Sequence, residues 1–163
     1  MTSRGRPAFL GTCVVVLLCC LARGATAASV CSTVSVSATS IAFGNYSAGS
    51  MLPAESDGTI NVTCSQSGNR ELPSFSAALS AGVSGNFNPR QMSGGGANLS
   101  YNIYSDSSYS AIWGDGTSGT STQSYSQSSG QTALTFTAYG RIPVAQFVAA
   151  GVYTDSITVT ITY

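Results

Sequence analysis

The sequence predicts an all-β fold, an antiparallel β-sandwich. Two observations support this prediction. Apolar residues alternate with polar ones in several short segments, and no segment shows the sustained apolar spacing of an amphipathic helix. Clusters of Gly, Asn, Asp and Pro separate the alternating segments. Six or seven short strands joined by turns are typical of two packed antiparallel sheets.

The first 27 residues are predicted to be a secretory signal peptide. Arg4 and Arg6 precede an apolar run over 8–21, and an Ala-Thr-Ala motif ends at Ala27. The apolar run is too short to predict a membrane span. Residues 28–163 would then form one exported domain.

The predicted strands are short segments in which Val, Ile, Leu, Phe or Ala alternate with polar residues. They are 34–37, 41–43, 60–64, 75–79, 99–103, 134–138 and 153–163. The intervening segments are predicted as connectors, because turn-forming or low-complexity sequence fills most of them. They are a polar loop at 53–58, a Gly-rich connector at 80–97, an exposed loop or polar hairpin at 114–130 and an apolar connector at 144–151.

The last predicted strand has the clearest alternation. Ile157, Val159, Ile161 and Tyr163 share one face and are predicted to face the core, whereas threonines occupy the other face. A long apolar edge strand aggregates unless another strand covers it. We therefore expect this row to form an interface with a partner strand.

Cys31 and Cys64 are the two cysteines that follow the predicted cleavage site. A redox pair is one interpretation of them. Their wide separation in the sequence, in an exported protein, favours a single structural disulfide.

The residue inventory argues against most catalytic classes. Residues 28–163 contain no His, no Lys, three Arg and six carboxylates, which gives a net charge of −3. A basic surface for nucleic acid, a His-activated nucleophile and a Schiff-base lysine are therefore excluded. Asp106 and Asp115 lie among Ser and Gly, so we interpret them as turn residues rather than as catalytic or calcium-binding carboxylates. We predict no enzymatic activity, no metal and no cofactor.

Tyrosines in the predicted loops keep an alternative open. Tyr104, Tyr109 and Tyr125 lie in or beside loops, where aromatic side chains can form a patch that binds carbohydrate or a surface. A secreted, monomeric adhesive or ligand-binding sandwich that uses the Tyr-rich loops around 101–125 is therefore the alternative function.

Eight short segments, taken together and in order, resemble the spore coat protein U domain, a family shared with subunits of archaic chaperone–usher pili. The segments are Cys31–Val36, Ile41–Tyr46, Gly58–Cys64, Arg90–Met92, Leu99–Tyr104, Trp113–Gly116, Tyr139–Pro143 and Gly151–Tyr163.

The resemblance implies an immunoglobulin-like sandwich that lacks its final strand, which a periplasmic chaperone and later a neighbouring subunit donate. It further implies a structural subunit of a bacterial surface assembly, either a pilus or a spore-coat-like layer. The implied partners are a periplasmic pilus chaperone, an outer-membrane usher and other pilus or coat subunits. The implied route runs through the periplasm to the cell surface.

One feature departs from the pattern of polymerising pilins, which carry a donor strand before the first cysteine. Cleavage after Ala27 would leave only Ala28–Val30 before Cys31. Three extended residues span only about 10 Å, which is too short to fill a groove. We therefore expect a chain that accepts a strand without donating one, as at the end of a fibre.

Overall fold

The computed structural model describes residues 30–66 and 70–163. The predicted signal peptide lies outside these residues. Within them, no helix is long and apolar enough to span a bilayer. The regular elements are eight strands: β1 (Val34–Ala38), β2 (Ala54–Cys64), β3 (Phe75–Leu79), β4 (Arg90–Gly94), β5 (Ala97–Tyr104), β6 (Gln123–Tyr125), β7 (Ala133–Ile142) and β8 (Val159–Thr162).

The strands form two antiparallel sheets, as the alternation predicts. The larger sheet has the order β1-β2-β7-β5-β4, and the smaller has the order β6-β3-β8. The longest pairing joins β2 to β7, from Ala54 opposite Ile142 to Thr63 opposite Ala133. Inward-facing residues of both sheets pack into one core, so the predicted sandwich is confirmed.

Trp113 anchors the centre of that core. Its side chain is fully buried, and its indole Nε1–H donates a hydrogen bond of 2.9 Å to the carbonyl of Ala77 in β3. The indole ring packs edge-on against Phe136 of β7. Trp113 therefore ties the two sheets together through both a buried aromatic contact and a satisfied polar group.

Cys31 and Cys64 form the predicted disulfide, which closes a loop with a sequence separation of 33. In the chain-entropy model, such a loop contributes about 3.7 kcal/mol to the free energy of unfolding. The bond attaches the start of the described domain to the end of β2. Val30 and Cys31 also reach Glu71, Val30 through a parallel bridge and the Cys31 N–H through a hydrogen bond of 2.9 Å to the Glu71 carbonyl.

The prediction of a polar loop at 53–58 is largely wrong, because β2 begins at Ala54 and pairs there with the end of β7. Gly58 is buried rather than in a turn. A Cβ on Gly58 would lie 2.9 Å from Cγ1 of Ile41, so the glycine is needed for close packing.

Three other predictions differ from the structure. The connector predicted at 80–97 contains β4, which pairs with β5 along its whole length. The strand predicted at 41–43 is irregular chain. The low-complexity segment 114–130 contributes the short strand β6, which pairs with β3.

The final predicted strand is regular only over Val159–Thr162, where it pairs with β3. Earlier in the same segment, Thr154 forms an antiparallel bridge to Ser93 of β4 in the other sheet. The segment therefore crosses from the larger sheet to the smaller one, and this crossing interrupts its regular pairing.

Candidate functional site

An open groove lies between the chain that follows β1 and the chain that leads into β8. A cavity of about 470 Å³ has one wall at 38–43 and the other at 153–159. A second cavity of about 710 Å³ continues it between 41–48 and 146–153. The two cavities share lining residues, so we describe them together as the groove. The shared residues are Ile41, Phe43, Met92 and Tyr153.

The first wall lies against Gly58 of β2 and Gly140 of β7, two glycines of the larger sheet. Ile41 and Phe43 pack so closely over Gly140 that a Cβ there would lie 2.6 Å from Ile41 and 2.8 Å from Phe43. Ahead of them, the Thr39 N–H donates to the Thr59 carbonyl at 2.9 Å. The alternation of Ile41 and Phe43 thus places two apolar side chains on the wall without a strand ladder.

The second wall is β8 and the chain before it. β8 is an edge strand of the smaller sheet and pairs with β3 on one side. Ser80 and Thr158 extend that pairing by one step, since the Ser80 N–H donates to the Thr158 carbonyl at 3.0 Å. The Thr158 N–H in turn donates to the Ser80 hydroxyl at 2.9 Å. This wall is therefore fixed on the side away from the groove.

The floor of the groove is mainly apolar and buried. Its side chains come from β3, β4, β5 and β7, and both sheets contribute to it. They are Leu79, Met92, Tyr101, Ile103 and Ala138. Apolar side chains that entered the groove would therefore lose contact with water.

The structure separates Tyr163 from the other three residues of the predicted interface row. Ile157 and Val159 are half-buried and line the groove, and Ile161 is half-buried against the core. Tyr163 follows the end of β8 and remains 59% exposed, so it is not brought to the groove. The intervening threonines are exposed, as the alternation predicts.

A buried arginine fixes the loops beneath the second wall. Arg90 is fully buried, and its guanidinium donates to the Ser80 carbonyl at 3.1 and 2.9 Å, to Oδ1 of Asn102 at 2.8 Å and to the Trp113 carbonyl at 2.7 Å. Burial lowers the pKa of Arg90, because the charged form loses hydration. Ser80 accepts from Arg90 and pairs with Thr158, so the network supports the chain that enters β8.

A hydrogen-bonded pair of polar side chains, Tyr101 and Asp155, lines the groove. The Tyr101 hydroxyl donates to Oδ2 of Asp155 at 2.7 Å. Burial, with the hydrogen bond to Asp155, raises the pKa of Tyr101, so the phenol stays a donor. Sequence reasoning misses this pair and Arg90. The available signal for Asp155 was its place in the alternating row, two residues before Ile157.

Asp106 and Asp115 are turn residues, as interpreted from the sequence. Asp106 accepts from the backbone N–H groups of Ser108 and Ala111, and Asp115 accepts from the N–H of Thr117 at 2.9 Å. Hydrogen bonds, led by that from the Ser108 hydroxyl, lower the pKa of Asp106. Both carboxylates thus stabilise their own loops.

Three tyrosines cluster away from the groove. Tyr109 packs edge-on against Tyr104 and Tyr139, with ring centroids 5.4 and 6.5 Å apart. The Arg141 guanidinium lies 4.8 Å from the centroid of Tyr109 and pairs with Glu55. Tyr109 has a φ of 57°, an uncommon conformation for a residue with a side chain. Tyr125 is not part of the cluster and packs on Phe75.

Comparison with known proteins identifies the family to which the chain belongs. Residues 17–160 match the family model of the Spore Coat Protein U domain. Because that match spans most of the chain, the protein belongs to the Spore Coat Protein U domain family.

A similar fold occurs in the crystal structure of the CsuC–CsuE chaperone–tip adhesion subunit pre-assembly complex, from the archaic chaperone-usher Csu pili of Acinetobacter baumannii. The matched chain is 21% identical, with a TM-score of 0.52, and the match covers 80% of the present chain and 40% of that one. At this identity, the likeness shows the fold. No curated protein matches the chain.

Proposed function

We propose that this protein is a non-enzymatic structural subunit of a bacterial surface assembly, a pilus or a spore-coat-like layer, and that its groove accepts a β-strand from another chain. The observation that carries the proposal is an open apolar groove with an edge strand, β8, along one wall. On this view the domain is an immunoglobulin-like sandwich that lacks one strand.

The geometry of the groove explains why a strand is the fitting occupant. A strand placed beside β8 pairs with its free backbone edge, and alternate side chains enter the apolar groove. Burial of four or five apolar side chains contributes on the order of 6–15 kcal/mol before entropy costs. A small ligand would leave the strand edge unpaired.

The proposed partners follow from strand acceptance and from the family. A periplasmic pilus chaperone covers the groove during transit, an outer-membrane usher receives the complex, and another pilus or coat subunit then supplies the final strand. The likeness to a subunit that forms a pre-assembly complex with a chaperone supports the first of these partners. The proposed location is the periplasm in transit and then the cell surface.

We further propose a terminal position, in which the chain accepts a strand but does not donate one through its N-terminus. Val30 and Cys31 contact Glu71, and Cys31 is bonded to Cys64. The chain from Val30 onward is therefore held in the fold and is not free to extend an arm. Cleavage after Ala27 would leave a reach of about 10 Å or less.

A synthetic peptide with alternating apolar residues is expected to raise the urea midpoint of the purified mature chain, because it buries the groove. Trp113 is the only tryptophan, so its fluorescence reports unfolding. A peptide of the same composition without the alternation is the control. Equal midpoints with both peptides would contradict strand acceptance.

The same mixture tests the terminal position. Peptide addition is expected to stabilise the chain without polymer growth, as measured by light scattering and electron microscopy. Long homopolymers from the purified chain alone would contradict the terminal position and leave strand acceptance standing. N-terminal sequencing of the mature protein checks the predicted cleavage after Ala27.

A second candidate function is that of a secreted, monomeric adhesive. It is favoured by the positive φ of Tyr109 and by the aromatic rings around this residue. Under the subunit proposal, Tyr109→Ala should leave both strand-peptide binding and surface assembly unchanged. A glycan array and an adhesion assay decide between the candidates. Loss of adhesion by Tyr109→Ala, with assembly intact, would favour the adhesive function.

A further inference from the structure

Asp155 stands in the row of side chains that faces the groove. Tyr153, Asp155, Ile157 and Val159 alternate with exposed residues, and all four line the groove. Among the described residues that line it, Asp155 is the one with a charged side chain. A half-buried carboxylate therefore stands between Tyr153 and Ile157 in this row.

Three hydrogen bonds hold this carboxylate in place. Oδ1 accepts from the N–H groups of Val83 and Ser156 at 2.8 and 2.7 Å, and Oδ2 accepts from the Tyr101 hydroxyl at 2.7 Å. Gly82 has a φ of 77°, and a Cβ there would overlap the carboxylate. A carboxylate has about four acceptor sites. One site thus remains after the three internal donors.

Asp155 has no ion-pair partner in the described part of the chain, where the one salt bridge joins Arg141 to Glu55. The charges of Arg90 and Asp155 attract each other, but the donors of Arg90 go to Ser80, Asn102 and Trp113, so Arg90 does not fill the remaining acceptor site of Asp155. Asp155 is half-buried and lines the groove, so its remaining acceptor site is open to solvent until an inserted strand covers it. An apolar side chain opposite Asp155 would leave a desolvated charge, which is costly. A cationic side chain would supply both an opposite charge and a donor.

We propose that Asp155 selects a donated strand that carries Lys or Arg at the position facing it. This inference rests on the proposed strand acceptance and specifies the chemistry of the partner. Side chains on one face of a strand recur every second residue. The cation therefore lies two residues along from the apolar side chain that packs against Ile157, and four residues along from the one against Val159.

Fluorescence anisotropy with labelled strand peptides tests the inference. The peptides are identical except for Lys, Leu or Glu at one guest position, and each position in turn serves as the guest. At one inward-facing position, the Lys peptide is expected to bind about tenfold more tightly than the Leu peptide, and the Glu peptide most weakly. The difference in affinity between the Lys and Leu peptides should shrink at high salt, because salt screens the attraction between the charges. This measurement uses the unmodified protein.

Two variants assign the preference to Asp155. Asp155→Asn should abolish the Lys advantage, whereas Asp57→Asn, which removes an exposed carboxylate outside the groove, should preserve it. Urea unfolding verifies that both variants are folded. Equal binding of Lys and Leu peptides at every position, or a preference that survives Asp155→Asn, would overturn the inference alone. Failure of every peptide to bind would overturn strand acceptance as well.

Discussion

Replacing Val159 by aspartate is expected to prevent the chain from accumulating and from entering an assembly. Val159 pairs with Leu79 of β3, lines the groove and packs against the core. A carboxylate there faces apolar side chains, and no Arg or Lys is among the described residues that line the groove. The cost is several kcal/mol, a large part of the free energy of unfolding of a domain of this size. A donated strand would increase the cost by removing the remaining water.

Thr160→Asp is the matched control, because Thr160 is the next residue of the same strand and is exposed on the opposite face. It makes a similar change in charge and should be well tolerated. The measurements are the periplasmic level of each variant and its urea midpoint. If Val159→Asp and Thr160→Asp accumulate and assemble equally, the row does not face a buried interface.

Replacing Arg90 by alanine is expected to lower the free energy of unfolding by about 3–5 kcal/mol. The substitution empties a fully buried site and removes the hydrogen bonds to Ser80, Asn102 and Trp113. Buried acceptors that lose their donors retain their desolvation cost. Arg90→Lys should give a smaller loss, since an ammonium retains the charge but lacks the planar set of donors.

Arg141→Ala is the control for Arg90→Ala. Arg141 pairs with Glu55 at 3.3 Å, and both side chains are substantially exposed. Such a pair contributes about 1 kcal/mol or less. Urea unfolding followed by Trp113 fluorescence measures all three variants. Similar midpoints for Arg90→Ala and Arg141→Ala would mean that the buried network contributes little to stability.

The strands that the sequence predicts correctly are those whose alternation matches a one-sided burial. In β3, Phe75, Ala77 and Leu79 are buried and the residues between them are half-buried. The start of β2 and the whole of β4 escape prediction because neither shows an apolar alternation: β2 begins Ala-Glu-Ser-Asp-Gly, and Met92 is the one large apolar residue of β4. The start of β2 becomes a strand by pairing with β7, which lies far away in the sequence, whereas β4 forms a hairpin with the next strand, β5, through a turn at Gly95 and Gly96.

The alternation of apolar and polar residues cannot predict the groove. The row Ile157, Val159 and Ile161 is readable from the sequence, but its separation from Ile41 and Phe43 is a property of how the two sheets pack. The Asp155 site depends on the loop at Gly82 and Val83 as well as on Tyr101. Single-sequence reasoning has no access to such contacts between distant segments.

The burial of Arg90 also bears on how the protein withstands proteases. Trypsin cleaves after Lys and Arg, and residues 28–163 contain no Lys and only the arginines 70, 90 and 141. Arg90 is fully buried, and Arg141 lies inside β7 with partners on both sides, Glu55 and Asn102. A protease needs an extended, accessible chain, which neither site offers in the folded domain. Tryptic digestion at Arg90 and Arg141 must therefore await unfolding, which makes resistance to trypsin a direct measure of how well the domain stays folded.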